Sequence, residues 1–182
     1  MHAEKLTPSP TGRTLPGLET LAQTPGILEA LLRDSTKEVL EWKPAPERWS
    51  ISEVLAHLAH VELEGFRLRV QQFLEGNQPV LGVYDQNTLA AAGTYSGKEA
   101  RATLEQFRRE RATSLDFLRT LPSDCLDKKA HHPELGEVTL GQLLHEWAFH
   151  DLGHIRQVAE LYRAKVYWPG MGGWQRYYKI NP

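Results

Sequence analysis

The sequence predicts an all-α protein folded as a four-helix bundle. Three Ser/Thr-x-x-Glu/Gln segments stand directly before apolar residues at helical spacing, and the alternation typical of strands is essentially absent. One such segment arises often by chance, whereas three in front of helical apolar runs are hard to dismiss. A bundle is the simplest architecture in which long amphipathic helices bury their apolar faces against one another.

The first predicted helix runs from Pro25 to about Trp42. Thr24 is a residue type that caps helix N-termini, and Pro25 suits the first helical position. The predicted inward face is apolar and consists of Ile27, Leu28, Leu31 and Leu32. Residues 1–16 are rich in Pro, Thr and Gly, so we expect an irregular N-terminal arm followed by a single bundle domain over residues 17–182.

The other three predicted helices each begin at a capping box, in which two side chains satisfy each other's free backbone amides. The second helix begins at the box Ser50 to Glu53 and ends near Glu75. The third begins at Ser96 to Glu99 and ends before Pro122. The fourth begins at Thr139 to Gln142 and ends near Lys165. The two inner connections, residues 76–95 and 122–138, are long for a bundle and permit crossovers along it.

The composition excludes several classes of protein. With 182 residues, of which 41% are hydrophobic and 24% charged, the chain fits one soluble domain. A net charge of −2 without a Lys/Arg block gives no basis for binding nucleic acid or an anionic membrane. The single Cys125 excludes internal disulfides, and no signal peptide or membrane-spanning apolar run is visible. We therefore expect a cytoplasmic protein.

The most informative motif is the pair His150 and His154 in the fourth predicted helix. Four residues advance an α-helix by about 400°, so the two imidazoles project from nearly the same stripe and could bind one metal ion. Such a pair is also compatible with two polar side chains that bind no metal. The interpretation therefore depends on a third ligand elsewhere in the chain.

Helical angles favour His57 as the third ligand. It lies at the border of the apolar stripe of the second helix, whereas His60 is turned about 60° further toward solvent and is expected to be a surface or hydrogen-bonded residue. His145 points about 140° away from His150 and is expected on the surface. Together, His57, His150 and His154 would form a tetrahedral site with an open fourth position, as in catalytic zinc centres. The alternative is that buried histidines hydrogen-bond one another or a carboxylate.

Two carboxylates are candidates for supporting roles around the metal. Asp151 projects into the apolar stripe of the fourth helix, where an unpaired charge is costly, so that it needs a partner. It could orient a ligand imidazole or accept a hydrogen bond from a donor at a helix end. Glu64 lies two turns after His57 at nearly the same angle. It could accept a hydrogen bond from a ligand or simply face solvent.

Three segments of the chain resemble the DinB/YfiT-like superfamily of metal-dependent bundle enzymes. They are Trp49 to Ala59, His132 to Leu140 and Glu146 to Gln157, and the likeness extends over most residues from about 20 to 182. The resemblance implies a four-helix bundle in up-down-down-up order, one divalent metal ion on the same three histidines, and a homodimer. The chain departs from the common pattern because it lacks the further histidine that many relatives carry beside the last ligand.

The resemblance also implies an enzyme of thiol-S-transferase or hydrolase type. The open position would bind water or a low-molecular-weight thiol, such as bacillithiol or mycothiol, and lower its pKa. A small-molecule substrate would lie at the bundle mouth, where His132 and the aromatic stretch from Tyr167 to Tyr178 are candidate lining groups. The alternatives are that the aromatic stretch only packs against the helices and that His132 is only a loop residue before the fourth helix. Zinc is the default ion, and nickel, iron or manganese would also fit.

Two other classes of function stay open from the sequence. One is a non-catalytic, stress-associated bundle that binds a metal ion or a small molecule. The other is a purely structural helical dimer without an ion. The first predicts a lower melting temperature on metal removal without any turnover, and the second predicts unchanged melting in chelator.

Overall fold

Four long helical segments pack side by side in the computed structural model, which describes residues 14–182. They are α1 (Leu18–Leu32), the continuous helix formed by α3 (Ile51–Val61), a π-helical turn (Glu62–Arg67) and α4 (Leu68–Glu75), then α6 (Ala100–Arg119) and α7 (Leu140–Val166). Shorter elements fill the connections: α2 (Lys37–Glu41), α5 (Gln86–Ala91), β1 (Lys129–His132), β2 (Gly136–Thr139) and 3-10 turns over Ser123–Asp127, Trp168–Gly170 and Gly172–Tyr177. The predicted all-α four-helix bundle is confirmed. The predicted arm, residues 1–16, lies almost wholly outside the described residues.

The long helices run in up-down-down-up order, as the resemblance implies. One core cluster joins the start of α1, the ends of α4 and α6 and the start of α7, through side chains that include Leu21, Phe73, Leu118 and Leu144. The opposite cluster joins the end of α1, the starts of α3 and α6 and the end of α7, through side chains that include Leu28, Ile51, Ala100 and Leu161. The α3–α4 helix and α6 are therefore parallel, and residues 76–99 cross from one end of the bundle to the other.

Two of the three predicted capping boxes form. Ser50 and Glu53 cap α3, and Thr139 and Gln142 cap α7, each with both reciprocal hydrogen bonds present. The box predicted at Ser96 is wrong. Ser96 donates its hydroxyl hydrogen to Glu53 Oε1 (3.2 Å), and the carboxylate of Glu99 caps α6 itself by accepting from two backbone N–H groups.

The prediction for the first helix is wrong at both ends. The helix begins at Leu18, and it ends at Leu32, where the side chain of Arg101 donates to the carbonyl oxygens of Arg33 and Ser35 at 2.9 and 3.0 Å. The part of the predicted helix after Leu32 is instead a separate short helix, α2, because Thr36 provides a second N-cap before it. Gly17 permits the earlier start, since its φ of 80° favours glycine and a side chain there would lie 2.8 Å from the Cβ of Ala148.

Pro25 stands inside α1 instead of at its start. A proline lacks the N–H that would bond the carbonyl oxygen four residues earlier, which leaves Leu21 O without its helical donor. Arg111 Nη1, from α6, donates to Leu21 O at 2.8 Å and replaces that bond. Thr24 is fully buried, and its hydroxyl donates to Thr20 O within the helix. The predicted role of Thr24 as an N-cap is therefore wrong.

A small hairpin interrupts the second inner connection, where we expected only a loop. Strands β1 and β2 pair antiparallel, with Lys129 opposite Thr139 and His132 opposite Gly136. The crossing connection is attached to the hairpin, because His131 donates its N–H to Pro79 O (2.8 Å) and accepts from Leu81 N–H (2.9 Å). Strands of four residues are too short for alternation to stand out in the sequence.

Among residues 14–182, no helix combines the length and the apolar character that crossing a membrane requires.

Removing the cap of α7 tests the capping box. Thr139→Ala is expected to lower the free energy of unfolding by about 1 kcal/mol, because the N–H of Gln142 loses its acceptor at a helix start. The measurement is urea unfolding followed by circular dichroism. Thr113→Ala is the matched control, since Thr113 is an exposed residue inside α6. A loss at Thr139 no larger than that of the control would contradict the assignment.

Candidate metal centre

Three histidines from two helices meet inside the bundle. His57 is on α3, and His150 and His154 are one turn apart on α7. His150 Nε2 lies 3.1 Å from both His57 Nε2 and His154 Nε2, and the three candidate ligand atoms lie within 4.8 Å of one another. The structure therefore brings together the three residues that helical angles and the family resemblance both select.

The cluster is buried on one side and enclosed by aromatic rings. His57 is 0% exposed, whereas His150 and His154 are half-buried. Each histidine ring has an aromatic neighbour: Trp49 lies nearly parallel to His154 (6.5 Å between centroids, 9° between planes), Tyr95 is edge-on to His57 (5.3 Å, 83°), and Phe66 is edge-on to His150 (5.2 Å, 67°). These contacts restrict rotation of the imidazoles and keep water away from His57.

The environment keeps the imidazoles neutral. Burial, as the largest cause, and the neighbouring imidazoles together lower the pKa of His57 to about 2. Burial, the His154 ring and the Arg111 guanidinium lower the pKa of His150 to about 3. Burial also lowers the pKa of His154. Near pH 7 all three rings therefore keep a nitrogen lone pair, which is the state that binds metal.

Hydrogen bonding alone does not satisfy the contacts at the centre of the cluster. The Nε2 atom of a neutral imidazole carries either one hydrogen or one lone pair, so it makes one well-directed hydrogen bond. His150 Nε2 has two nitrogen neighbours at 3.1 Å, one on His57 and one on His154. Whichever tautomer His150 adopts, one of the two contacts stays without a hydrogen bond.

A divalent ion resolves this conflict. Tetrahedral zinc with ligand distances of about 2.0–2.1 Å places its nitrogen ligands about 3.4 Å apart, close to the two 3.1 Å contacts. Because one ring nitrogen of each histidine lies within 4.8 Å of the others, His57, His150 and His154 could hold one ion together. The imidazole ligands fit zinc, nickel and iron alike, so they do not select the metal.

A buried ion-pair network accompanies the cluster, and sequence reasoning missed two of its three members. Arg111 on α6 binds Glu62 in the π-helical turn through Nε and Nη2 (2.9 and 2.8 Å). Its Nη1 and Nη2 atoms bind the two carboxylate oxygens of Asp151. All three side chains are at most 2% exposed. The expected need of Asp151 for a partner is confirmed, but that partner is Arg111 and not a ligand imidazole.

The sequence does contain a signal for the missed pair. Arg111 lies four residues from both Phe107 and Leu115, inside the apolar stripe of its helix. Glu62 likewise lies four residues from the apolar residues Leu58 and Phe66. A charged residue at a core position needs a buried partner of opposite charge. Searching the predicted helices for such misplaced charges would have found both residues.

Glu64 and His132 lie away from the three histidines. Glu64 is exposed and lines a surface pocket of about 430 Å³ together with His60 and Tyr84. His132 is in β1, where its Nδ1 accepts from the N–H of Glu134 (3.2 Å). Within residues 14–182, neither side chain has a hydrogen bond or ring contact with the histidine cluster. Their supporting roles stay predictions.

The remaining histidines and the aromatic C-terminal stretch also lie outside the cluster. His60 Nδ1 is 2.8 Å from the hydroxyl of Tyr84, which confirms the expected hydrogen bond, and His145 is exposed. Trp174 and Tyr177 contact each other at 5.9 Å and are 69% and 74% exposed. Among the described residues, these two rings neither contact the histidines nor pack into the bundle core.

Acidification tests the neutral burial of His57. The unfolded chain takes up a proton on this residue near pH 6.5, whereas the folded chain does so only near pH 2. Stability contributed by neutral His57 is therefore complete above pH 6.5 and is lost as the pH falls, at about 1.4 kcal/mol per pH unit. Urea unfolding in chelator between pH 6 and 4 is expected to show that stability falls less steeply with pH for His57→Leu than for the parent protein. Equal slopes for His57→Leu and the parent protein would contradict this.

The chain is similar in sequence to proteins of Oceanobacillus iheyensis and Bacillus subtilis. A protein of Oceanobacillus iheyensis named "Putative metal-dependent hydrolase" is 24% identical over 149 residues, which cover 81% of this chain and 85% of the relative. The uncharacterized protein YuaE of Bacillus subtilis is 24% identical over 150 residues, which cover 71% of this chain and 87% of the relative.

A solved structure shows the same fold. YfiT from Bacillus subtilis, described as a probable metal-dependent hydrolase with an unusual four-helix bundle topology, superimposes with a TM-score of 0.73 at 19% identity, over 90% of this chain and 93% of YfiT. The family resemblance found in the sequence is confirmed, because the sequence profile of the DinB superfamily matches residues 20–158. The chain belongs to the DinB superfamily.

Proposed function

We propose that the protein is a divalent-metal-dependent enzyme of hydrolase or thiol-S-transferase type, with His57, His150 and His154 as the metal ligands. The observation that carries the proposal is the convergence of three neutral imidazoles whose contacts hydrogen bonding cannot satisfy together. The name of the Oceanobacillus relative and the description of the YfiT structure, both of which contain the words metal-dependent hydrolase, support it.

Three protein ligands leave one position for a reacting molecule. When bound, a divalent ion in such a site lowers the pKa of a water or thiol at the fourth position and so supplies a hydroxide or thiolate nucleophile near neutral pH. The half-buried rings of His150 and His154 form the accessible side of the cluster, so we place the approach of a small substrate there. His57, in contrast, is fully buried and packs edge-on against Tyr95.

The protein residues supply position and a fixed charge state. Burial keeps the ligands neutral, so metal binding near pH 7 does not have to compete with protons. Arg111 ties α6 to the π-helical turn and to α7 through Glu62 and Asp151, one residue from His150. This network holds the two ligand-bearing helices at a fixed spacing.

Turnover assays separate an enzyme from a binding protein. The metal-loaded protein is supplied with p-nitrophenyl acetate, alone and with cysteine or bacillithiol, and compared with chelated protein and with His150→Ala. Metal-dependent release of p-nitrophenol that is lost in His150→Ala is expected. Release without thiol identifies a hydrolase activity, and release only with thiol identifies thiol transfer. A protein with one bound ion per chain that shows no turnover with either probe would favour the non-catalytic bundle.

A further inference from the structure

Gln157 contacts the metal-binding cluster from outside. It lies three residues after His154 on α7, and its Oε1 atom is 2.8 Å from His154 Nδ1. Residues three apart on a helix are neighbours on its surface, so the contact is local and needs no other element. The hydrogen bond involves Nδ1, whereas the other ring nitrogen of His154, Nε2, is the one that lies 3.1 Å from His150 Nε2.

This contact determines which nitrogen of His154 carries the hydrogen. An amide oxygen only accepts hydrogen bonds, so the 2.8 Å contact requires the hydrogen on His154 Nδ1. In the neutral ring, Nε2 then holds the lone pair, and Nε2 is the atom that lies 3.1 Å from His150 Nε2. The hydrogen bond thus directs the free lone pair of His154 into the cluster.

The other two ligands lack a comparable partner. His57 Nδ1 and His150 Nδ1 are buried and have no hydrogen-bond partner among residues 14–182. Their orientation depends on packing, against Tyr95 and Phe66 respectively. Within the described part of the chain, His154 is therefore the one ligand whose tautomer is fixed by a side chain.

We propose that Gln157 is a positioning residue for the metal centre, which fixes the tautomer and rotation of His154 and thereby raises the affinity for a divalent ion. The inference rests on the proposed function, because it presumes that the ion binds to the three histidines. Hydrogen bonds that orient metal-binding imidazoles typically change metal affinity by about 10–100-fold. Loss of the Gln157 acceptor is expected to have an effect in that range.

The test compares Co²⁺ affinity in three variants and the parent protein. Gln157→Met removes the acceptor but keeps the length of the side chain and its helix propensity. Gln157→Glu retains an acceptor and offers no donor at neutral pH. Gln71→Met is the matched control, because Gln71 is an exposed residue of α4. Affinities come from chelator competition, and the visible absorption of bound Co²⁺ reports the geometry of its ligands.

The expected result is about 10–100-fold weaker Co²⁺ binding by Gln157→Met, with altered Co²⁺ absorption, and binding by Gln157→Glu within about threefold of the parent protein or tighter. Gln71→Met is expected to match the parent protein. Equal Co²⁺ affinity of Gln157→Met and the parent protein would overturn the inference and leave the proposed function intact. The same conclusion would follow if Gln157→Glu lost as much Co²⁺ affinity as Gln157→Met. A parent protein that binds no Co²⁺ contradicts both. Melting temperatures measured in chelator show whether any loss reflects unfolding.

Discussion

Replacing His57 with alanine is expected to reduce the bound divalent metal from about one ion per chain to below about 0.2. A site with only three protein ligands does not retain its ion through desalting once one of them is lost. Elemental analysis of protein purified without an affinity tag, after supply of zinc, nickel, iron and manganese, measures the metal content. The same analysis reports which ion the parent protein prefers.

His145→Ala is the matched control for this substitution. His145 is on α7 with two of the ligands, but it is exposed and points away from them. It should therefore retain the full metal content. Equal metal content in His57→Ala and His145→Ala would show that the ion binds elsewhere, and metal below about 0.2 per chain in the parent protein would contradict the site altogether.

Arg111→Met is expected to lower the free energy of unfolding by about 3–5 kcal/mol. The substitution leaves the carboxylates of Glu62 and Asp151 buried without a cation, and it removes the donor to Leu21 O. Because the total stability of a domain is only about 5–15 kcal/mol, a loss of this size is a large part of it. Urea unfolding in chelator measures the effect without any contribution from bound metal.

Two further variants show whether buried charge causes the loss. Arg109→Met, on the exposed side of α6 with only a 3.6 Å pair to Glu105, should change stability by less than about 0.5 kcal/mol. The triple variant Arg111→Met, Glu62→Met, Asp151→Leu should recover most of the stability, because no charge is left unpaired in the core. If the triple variant is as unstable as Arg111→Met alone, or Arg111→Met loses less than about 1 kcal/mol, the network does not have the proposed role.

The parts of the fold that the sequence predicts are those with local causes. The boxes at Ser50 and Thr139 define the starts of α3 and α7 because capping involves only residues within one turn. The start of α1 could not be predicted in this way. Pro25 is tolerated in its interior only because Arg111, 86 positions later in the chain, supplies the missing donor to Leu21 O, and no local pattern reports such a contact.

The same distinction applies to the site. Helical angles place His57, His150 and His154 on inward faces, and angles follow from sequence spacing alone. The partner of Asp151 could not be identified, because it depends on which helices are neighbours. The sequence places Gln157 next to His154 on the helix surface, because it follows His154 by three residues. Its hydrogen bond to the imidazole could not be predicted, because that bond depends on the rotation of the ring. The homodimer and the identity of the metal stay predictions.

Anomalous diffraction at the absorption edge of the bound metal tests the central claim most directly. Crystals of the metal-loaded protein should give one strong peak per chain, about 2.0–2.2 Å from the Nε2 atoms of His57, His150 and His154, with a fourth position on the side of His150 and His154 that no protein side chain fills. A peak bound to other residues, or histidine rings in the arrangement described here with no peak between them, would contradict the account.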